Sequence, residues 1–534
     1  MAQGKTFDFD NQPTMLGHPV GLFILFFTEL WERFSYYGMR GILVLFLVAQ
    51  TNADNPGFGW TEGRALELYG WYTMLVYVAS IPGGLLADRL LGQKKSVMVG
   101  GLLLCAGHGI LAIEAEWAFF TGLALIIAGV GCLKPNISTM VGGLYRQGDD
   151  RRDVGFTIFY IGINVGAFLA SLVVGWVGVE YGWHYGFGLA GIGMFIGQIV
   201  YMSGQKYLKG VGDAPTKEET SAEANVFGEL FKRRNAVLAL ALISALGVYL
   251  IVSGSIGYGL LAIFLAFAVG VSIIFYQDSN QVERDQLMVT FLSFLIIITF
   301  WGAFEQAGGL MNLYAEQKTD RMLGGFEVPA PWFQSLNPLY IILFGTPVGL
   351  FWLWWKRKGR EASSLFKMAV GVIIMGWGFL FMSGASMQYE KLGESAMYWL
   401  VLAYLLHTIG ELCASPVALS FITKLSPARY VSFMMGFYFA ATGLGNKVAG
   451  ALGEAAQSAG ELQIFTGIAI FCTVIGLLVI ALLKPLKRLT HGAEEQGEDT
   501  HFEEQEGYEV ADIPEDESDA GPKRDGSVLD PPKQ

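Results

Sequence analysis

The stretch FTELWERFSYYGMRG, residues 27–41, decides how the chain is read. It sets Glu29, Glu32, Arg33 and Arg40 inside a run from Val20 to Gln50 that is otherwise apolar enough to lie in a membrane. A charge near the centre of a bilayer costs roughly 3 kcal/mol or more unless it is paired or hydrated. On a helix, Glu29, Glu32, Arg33, Tyr36 and Arg40 fall within one stripe about 100° wide. Such a face points into a protein-lined, partly hydrated cavity in which acids and bases pair. The alternative is a buried ion-pair lattice that only ties helices together, and buried pairs are often poor stabilisers.

The rest of the chain extends that membrane setting. Of 534 residues, 53% are hydrophobic and only 15% are charged, against about 25% charged in soluble domains. Apolar windows of about 20 residues, long enough to cross roughly 30 Å of hydrocarbon, fall near residues 20–49, 67–87, 97–115, 117–144, 154–177, 184–204, 235–254, 257–277, 287–315, 333–355, 365–384, 396–422, 430–453 and 462–483. The chain is therefore expected to be an all-α polytopic membrane protein with 14 spans. Its polar start, MAQGKTFDFDNQPTM, lacks the pattern of a cleaved signal peptide.

The net charge of -12 resides in the tail, where residues 491–534 hold fifteen Asp or Glu against Lys523, Arg524 and Lys533. Residues 487–534 read as an acidic, disordered tail. Removal of residues 491–534 is expected to leave the stability and activity of the membrane body unchanged, because a solvated end of this composition needs no partner. Lys and Arg gather in alternate loops, such as DRLLGQKK (88–95), YRQGDDRRD (145–153) and WKRKGR (355–360). With an even number of spans, this places both termini in the cytoplasm.

A charged linker, residues 205–234, divides the chain after six spans. The next two spans, 235–254 and 257–277, contain no Asp, Glu, Lys, Arg or His and read as a lipid-facing hairpin. Residues 20–204 and 287–486 then form two six-helix bundles, with residues 1–19 as a cytoplasmic arm. Twelve core spans in two halves around a cavity is a transporter pattern.

Other spans add charges and amides at membrane depth: Lys134 in GVGCLKPN, Asn164 in FYIGINVGAF, Glu305 in WGAFEQAGG, Asn337 in SLNPLY and Glu411 in HTIGELCASP. Acids and bases from both halves suit a solute that carries both signs of charge. Tyr36, Tyr37, Tyr72 and Trp301 lie close enough in sequence to shape its side-chain pockets. Cys105, Cys132, Cys413 and Cys472 have no metal-ligand spacing, so no metal or other cofactor is expected. No phosphate-binding loop, HExxH or GxSxG motif occurs. No basic nucleic-acid patch is present either, and the linker is far too short for an ATP-binding domain. An enzyme is not expected.

ELWERFSYYG (29–38) and FTIFYIGINVGAFLA (156–170) match two signatures of the proton-dependent oligopeptide transporters, and GCLKPN, FEQ and GELCASPVAL follow in the expected order. The resemblance covers about residues 15–486 and is to a bacterial member with an extra hairpin. It implies a major facilitator fold and symport of di- and tripeptides with protons across the bacterial inner membrane, with no required protein partner. By the same resemblance, Arg33 and Lys134 face the peptide carboxylate and Glu411 the amino terminus, with Asn164 and Asn337 near the peptide backbone. Glu29, Glu32, Arg33 and Glu305 couple proton movement to binding. Tyr36, Tyr37, Tyr72 and Trp301 line the cavity, and Asp88 and Arg89 belong to a structural or gating loop.

Two positions depart from the family. LYGWY has Gly70 where mammalian members carry a histidine, with His407 as a possible compensation or a local hydrogen-bonding partner. MMGFYFAATG offers Phe437 and Tyr438 where members tend to carry tryptophan. A carrier of another charged solute, such as nitrate or an amino acid, and a peptide sensor that does not transport are the competing readings.

Overall fold

The computed structural model describes residue 9 and residues 12–146, 149, 151–214, 255–427 and 430–493. The expected span at 235–254, most of the linker and nearly all of the acidic tail lie outside the described residues. What is described is helical, apart from three ladders of paired two-residue strands. This follows from the solvent: in hydrocarbon each apolar segment must satisfy its own backbone hydrogen bonds, which a helix does within the segment.

Helix α1 (Val20–Val48) starts after Pro19. The second span is interrupted, with α2 (Glu62–Val78), α3 (Ser80–Leu86) and a π turn at Ala87–Leu91. Four long helices complete the first half: α4 (Gln93–Leu111), α5 (Glu116–Gly142), α6 (Arg151–Glu180) and α7 (Trp183–Gly204). Helix α8 (Ile256–Asp278) covers the second expected hairpin span. The second half opens with α9 (Gln281–Phe304), begun by a capping box in which the Asn280 side chain accepts from Glu283 N–H and Glu283 accepts from Asn280 N–H. A 3-10 turn at Glu305–Ala307 and two glycines break this span before α10 (Leu310–Lys318). It continues with α11 (Leu336–Arg357), α12 (Ser364–Leu392), α13 (Tyr398–Leu425), α14 (Val431–Ala459), α15 (Glu461–Ala481) and the short α16 (Leu483–Leu489).

Nine described helices are long and apolar enough to cross a membrane by length and composition. Helix α1 misses that criterion because every 18-residue window in it holds at least three of its four charged residues. The charges that raised the question thus hide the span from a hydropathy test.

Helix packing repeats between the halves. The pairs α4 with α5, α4 with α7 and α1 with α6 recur as α12 with α13, α12 with α15 and α9 with α14. Each pair joins the corresponding spans of its half, which is how two similar bundles come to face each other. Between the halves run α2 against α14 and α6 against α11.

The α2–α14 contact is close because both sides are glycine. A Cβ at Gly70 would lie 2.9 Å from the Gly450 Cα. No imidazole fits there, so the glycine that replaces the mammalian histidine is required by packing. Gly70→Leu is expected to force the halves apart, costing about 1–3 kcal/mol of overpacking strain, visible as lower thermal stability and reduced uptake.

Several bonds between the halves gather at the far face, where α1 ends. Asn312 Nδ2 donates to Gly41 O (2.8 Å), Trp332 Nε1 to Leu172 O (2.9 Å) and Gln457 Nε2 to Glu62 Oε2 (2.7 Å). At the near face the first residues strap the α5–α6 connection, with His18 Nδ1 2.9 Å from Tyr145 Oη.

Candidate functional site

A central cavity with about 1390 Å³ of space between atoms, its open mouth included, lies between the halves. Arg33, Tyr37 and Arg40 reach its wall from α1, Tyr77 from α2, and Asn164 from α6. Trp301 and Glu305 come from the broken seventh core span, Asn337 from α11, Glu411 from α13 and Tyr438 from α14. Residues far apart in sequence converge because each sits on the inward stripe of a helix whose other faces are apolar.

Behind the α1 wall, Glu29 and Glu32 are each 1% exposed and Arg33 is 4% exposed. Arg33 Nε donates to Glu29 Oε1 at 2.7 Å and lies 3.2 Å from Glu32 Oε2. Glu29 Oε2 and Glu32 Oε1 have no hydrogen-bond partner among the described residues. Two acids thus share one guanidinium, and that guanidinium faces the cavity. An anion arriving there would compete with Glu29 and Glu32 for Arg33.

Lys134 is placed differently from the expectation that it faces the cavity. It is buried, does not line the cavity, and its Nζ lies 3.8 Å from the centroid of the Tyr77 ring. Tyr77, which the sequence reading did not single out, lines the cavity and carries the Lys134 ammonium over its ring. Tyr36 and Tyr72 are likewise buried off the wall, whereas Tyr37 is on it. The helical stripe located this group but could not say which ring faces the space, since that depends on the helices packed against α1 and α2.

A second cluster joins the two halves at the cavity wall. Arg40 Nη1 lies 3.2 Å from Glu305 Oε1 and 3.3 Å from Oε2, and Tyr69 Oη donates to Glu305 Oε1 at 2.6 Å. Glu305 is held where the seventh core span breaks, so its carboxylate meets α1 and α2 across the halves. Tyr69 was also missed; only its position beside Gly70 on the face toward the other half could have marked it.

On the opposite wall, Asn337 Nδ2 donates to Glu411 Oε2 at 2.7 Å and to Thr408 Oγ1 at 3.1 Å. The Asn337 amide therefore orients a carboxylate that faces the cavity. Asn164 also faces the cavity, with Nδ2 donating to Tyr160 O at 3.1 Å. His407, one turn before Glu411, stacks on Phe379 with ring centroids 4.4 Å apart and does not line the cavity. Tyr438 takes a place on the wall, whereas Phe437 turns toward Phe275 of α8. Asp88 and Arg89 fall in the π turn at Ala87–Leu91. The first turn of α4, just after it, is tied by Lys94 to Asp213 at 2.6 Å.

Known proteins carry the same arrangement of helices. A family model described as POT family matches residues 94–464. The uncharacterised transporter YclF of Bacillus subtilis is 37% identical over 491 residues, covering 90% of this chain and 97% of its own. The peptide transporter YePEPT of Yersinia enterocolitica is 36% identical, with 90% and 97% covered. A crystal structure of a peptide transporter POT in complex with sulfate superposes with a TM-score of 0.79 at 36% identity, covering 91% of this chain and 99% of the other. The chain belongs to the POT family, with the major facilitator arrangement of two helical halves around a central cavity.

Proposed function

We propose that this protein carries di- and tripeptides into the cell together with protons, by alternating access of the central cavity to the two sides of a bacterial inner membrane. The observation that supports it best is the distribution of charge on the cavity wall: Arg33, shared with Glu29 and Glu32, comes from one half and Glu411, oriented by Asn337, from the other. A dipeptide separates its charged ends by roughly 7 Å and has a carboxylate for the first wall and an ammonium for the second. YePEPT, a relative along nearly its whole length, is named a peptide transporter.

In this reading the peptide carboxylate is met by Arg33, with Lys134 supporting from behind Tyr77, while Asn164 and Asn337 bracket the backbone. Tyr37, Trp301 and Tyr438 shape the side-chain space. Glu29 and Glu32 exchange Arg33 for a proton as peptide binds, and Glu305 releases Arg40 when the far face opens. The near face is the cytoplasmic side, with both termini there. Residues 20–204 and 287–486 are the rocking halves, joined by the linker at 205–234 and the hairpin at 235–277, with the tail at 487–534 outside the mechanism.

The test is accumulation of labelled dialanine by purified protein in proteoliposomes, with and without an inward proton gradient. Accumulation that needs the gradient and collapses with a protonophore is expected. Its absence in correctly inserted protein would refute the symport reading. Glu411→Ala is expected to weaken binding of dialanine by about tenfold to a hundredfold, the 1.5–3 kcal/mol of a hydrogen bond to a charged group, while changing the affinity for amino-blocked dialanine little. Competition between the two peptides reads the difference.

A further inference from the structure

We infer that the gap between α8 and the transporter bundle is a binding site for the acyl chain of a membrane phospholipid. Helix α8 is held at both ends and stands off in the middle. Near its start, Tyr258 packs edge-on to Trp71 of α2 with ring centroids 5.2 Å apart, and Gly257 comes so close to the same indole that a Cβ there would lie 2.8 Å from it. Lys447 of α14 completes this end, its Nζ 4.6 Å from the Trp71 ring and 5.4 Å from the Tyr258 ring. Near the other end, Phe275 stacks on Tyr430 at 3.9 Å and meets Phe433 at 5.6 Å. The two anchors are seventeen residues apart, about 26 Å along the helix, which is close to the thickness of bilayer hydrocarbon.

Between the anchors is a cleft, open on one side, with about 670 Å³ of space between atoms, its open mouth included, walled by α2, α8, α9 and α14. Phe264, Phe294 and Phe437 prop the helices apart, while Ala268, Ala440 and Ala441 are too small to fill the space they leave. The one polar side chain on its wall among the described residues is Ser272, whose hydroxyl donates to Ala268 O at 2.8 Å. Water needs two to four polar partners, and the Ser272 hydroxyl, whose proton is already used, offers it one. An unfilled gap of this size would forfeit the dispersion contacts that close packing provides. At this depth the surrounding medium is hydrocarbon, so a lipid chain is both the available and the chemically matched occupant. The site is independent of what the central cavity carries, because its wall shares no residue with that cavity.

The test uses the full chain in liposomes of phosphatidylethanolamine and phosphatidylglycerol, with a phosphatidylethanolamine that carries a diazirine midway along one acyl chain. After irradiation, adducts are mapped by peptide mass spectrometry. Labelling is expected at Phe294 and Phe437, on the wall that α8 covers, as well as at Ile470 and Leu477, which are 58% and 55% exposed on the outward face of α15. Ala440→Phe fills the gap from α14 and is expected to remove the Phe294 and Phe437 adducts while leaving those on α15. Ala268→Phe fills it from α8 and serves should the first variant not fold. Labelling confined to α15 in the unmodified protein would overturn the proposal, as would Phe294 and Phe437 adducts that persist unchanged in a folded gap-filling variant.

Discussion

Glu32→Gln is expected to abolish gradient-driven accumulation of dialanine while leaving counterflow of labelled against unlabelled peptide. Glu32 is buried beside Arg33, with Oε2 at 3.2 Å and Oε1 without a described partner. The amide keeps the size of the carboxylate but cannot exchange a proton. Arg33 retains Glu29 at 2.7 Å, so the cavity keeps its cation. One pH unit is worth about 1.4 kcal/mol per proton, which supports roughly tenfold accumulation for each proton coupled. The variant is expected to reach only the equilibrium ratio of one. Counterflow serves as the control for folding and binding, since it needs both but no net proton movement. Undiminished accumulation by Glu32→Gln would remove Glu32 from the coupling mechanism.

The second large effect concerns the seal. Glu305→Ala leaves the Arg40 guanidinium buried without its carboxylate, and breaking a buried pair by removing one partner costs roughly 3–5 kcal/mol. That cost falls on the conformation in which the far face is closed, because Arg40 and Glu305 belong to different halves. In a background without native cysteines, Ala307→Cys on the cavity wall is therefore expected to react with an impermeant maleimide from the far face at least about a hundredfold faster once Glu305→Ala is added. The paired replacement Arg40→Met with Glu305→Leu tests the cause, since removing both charges is often neutral or stabilising. It is expected to give much slower labelling than Glu305→Ala alone. Equal reactivity with and without Glu305 would mean that this pair does not hold the far face shut.

Much of this arrangement was legible in order of residue type. The spacing of Glu29, Glu32, Arg33 and Arg40 on one helical stripe was enough to expect a hydrated cavity, because charge at membrane depth has few other physical explanations. Glu305, Asn337 and Glu411 could be selected by the same rule. Tyr69 and Tyr77 could not, since tyrosine is common in membrane spans and its sequence context does not say whether it faces lipid, a neighbouring helix or a cavity.

Lys134 shows the limit most clearly. Its charge and depth marked it as a site residue, yet it packs over a ring from another helix and does not line the cavity, and helical periodicity within α5 contains no information about α2. Gly70 is the converse case. In sequence it read as the loss of a functional group; in three dimensions it is the condition for α2 and α14 to touch.

The sequence by itself determined the helical, membrane-spanning class, the transporter pattern of two helical halves and the chemical types of residue that gather at its centre, because hydrocarbon length, backbone satisfaction and the cost of buried charge act locally along the chain. The tertiary structure decided which of those residues reach the cavity wall, that Arg40 pairs with Glu305 and Tyr69, and that α8 stands off the bundle. These outcomes depend on how helices pack across the two halves, and contacts between residues hundreds of positions apart are set by shape complementarity that no local pattern encodes.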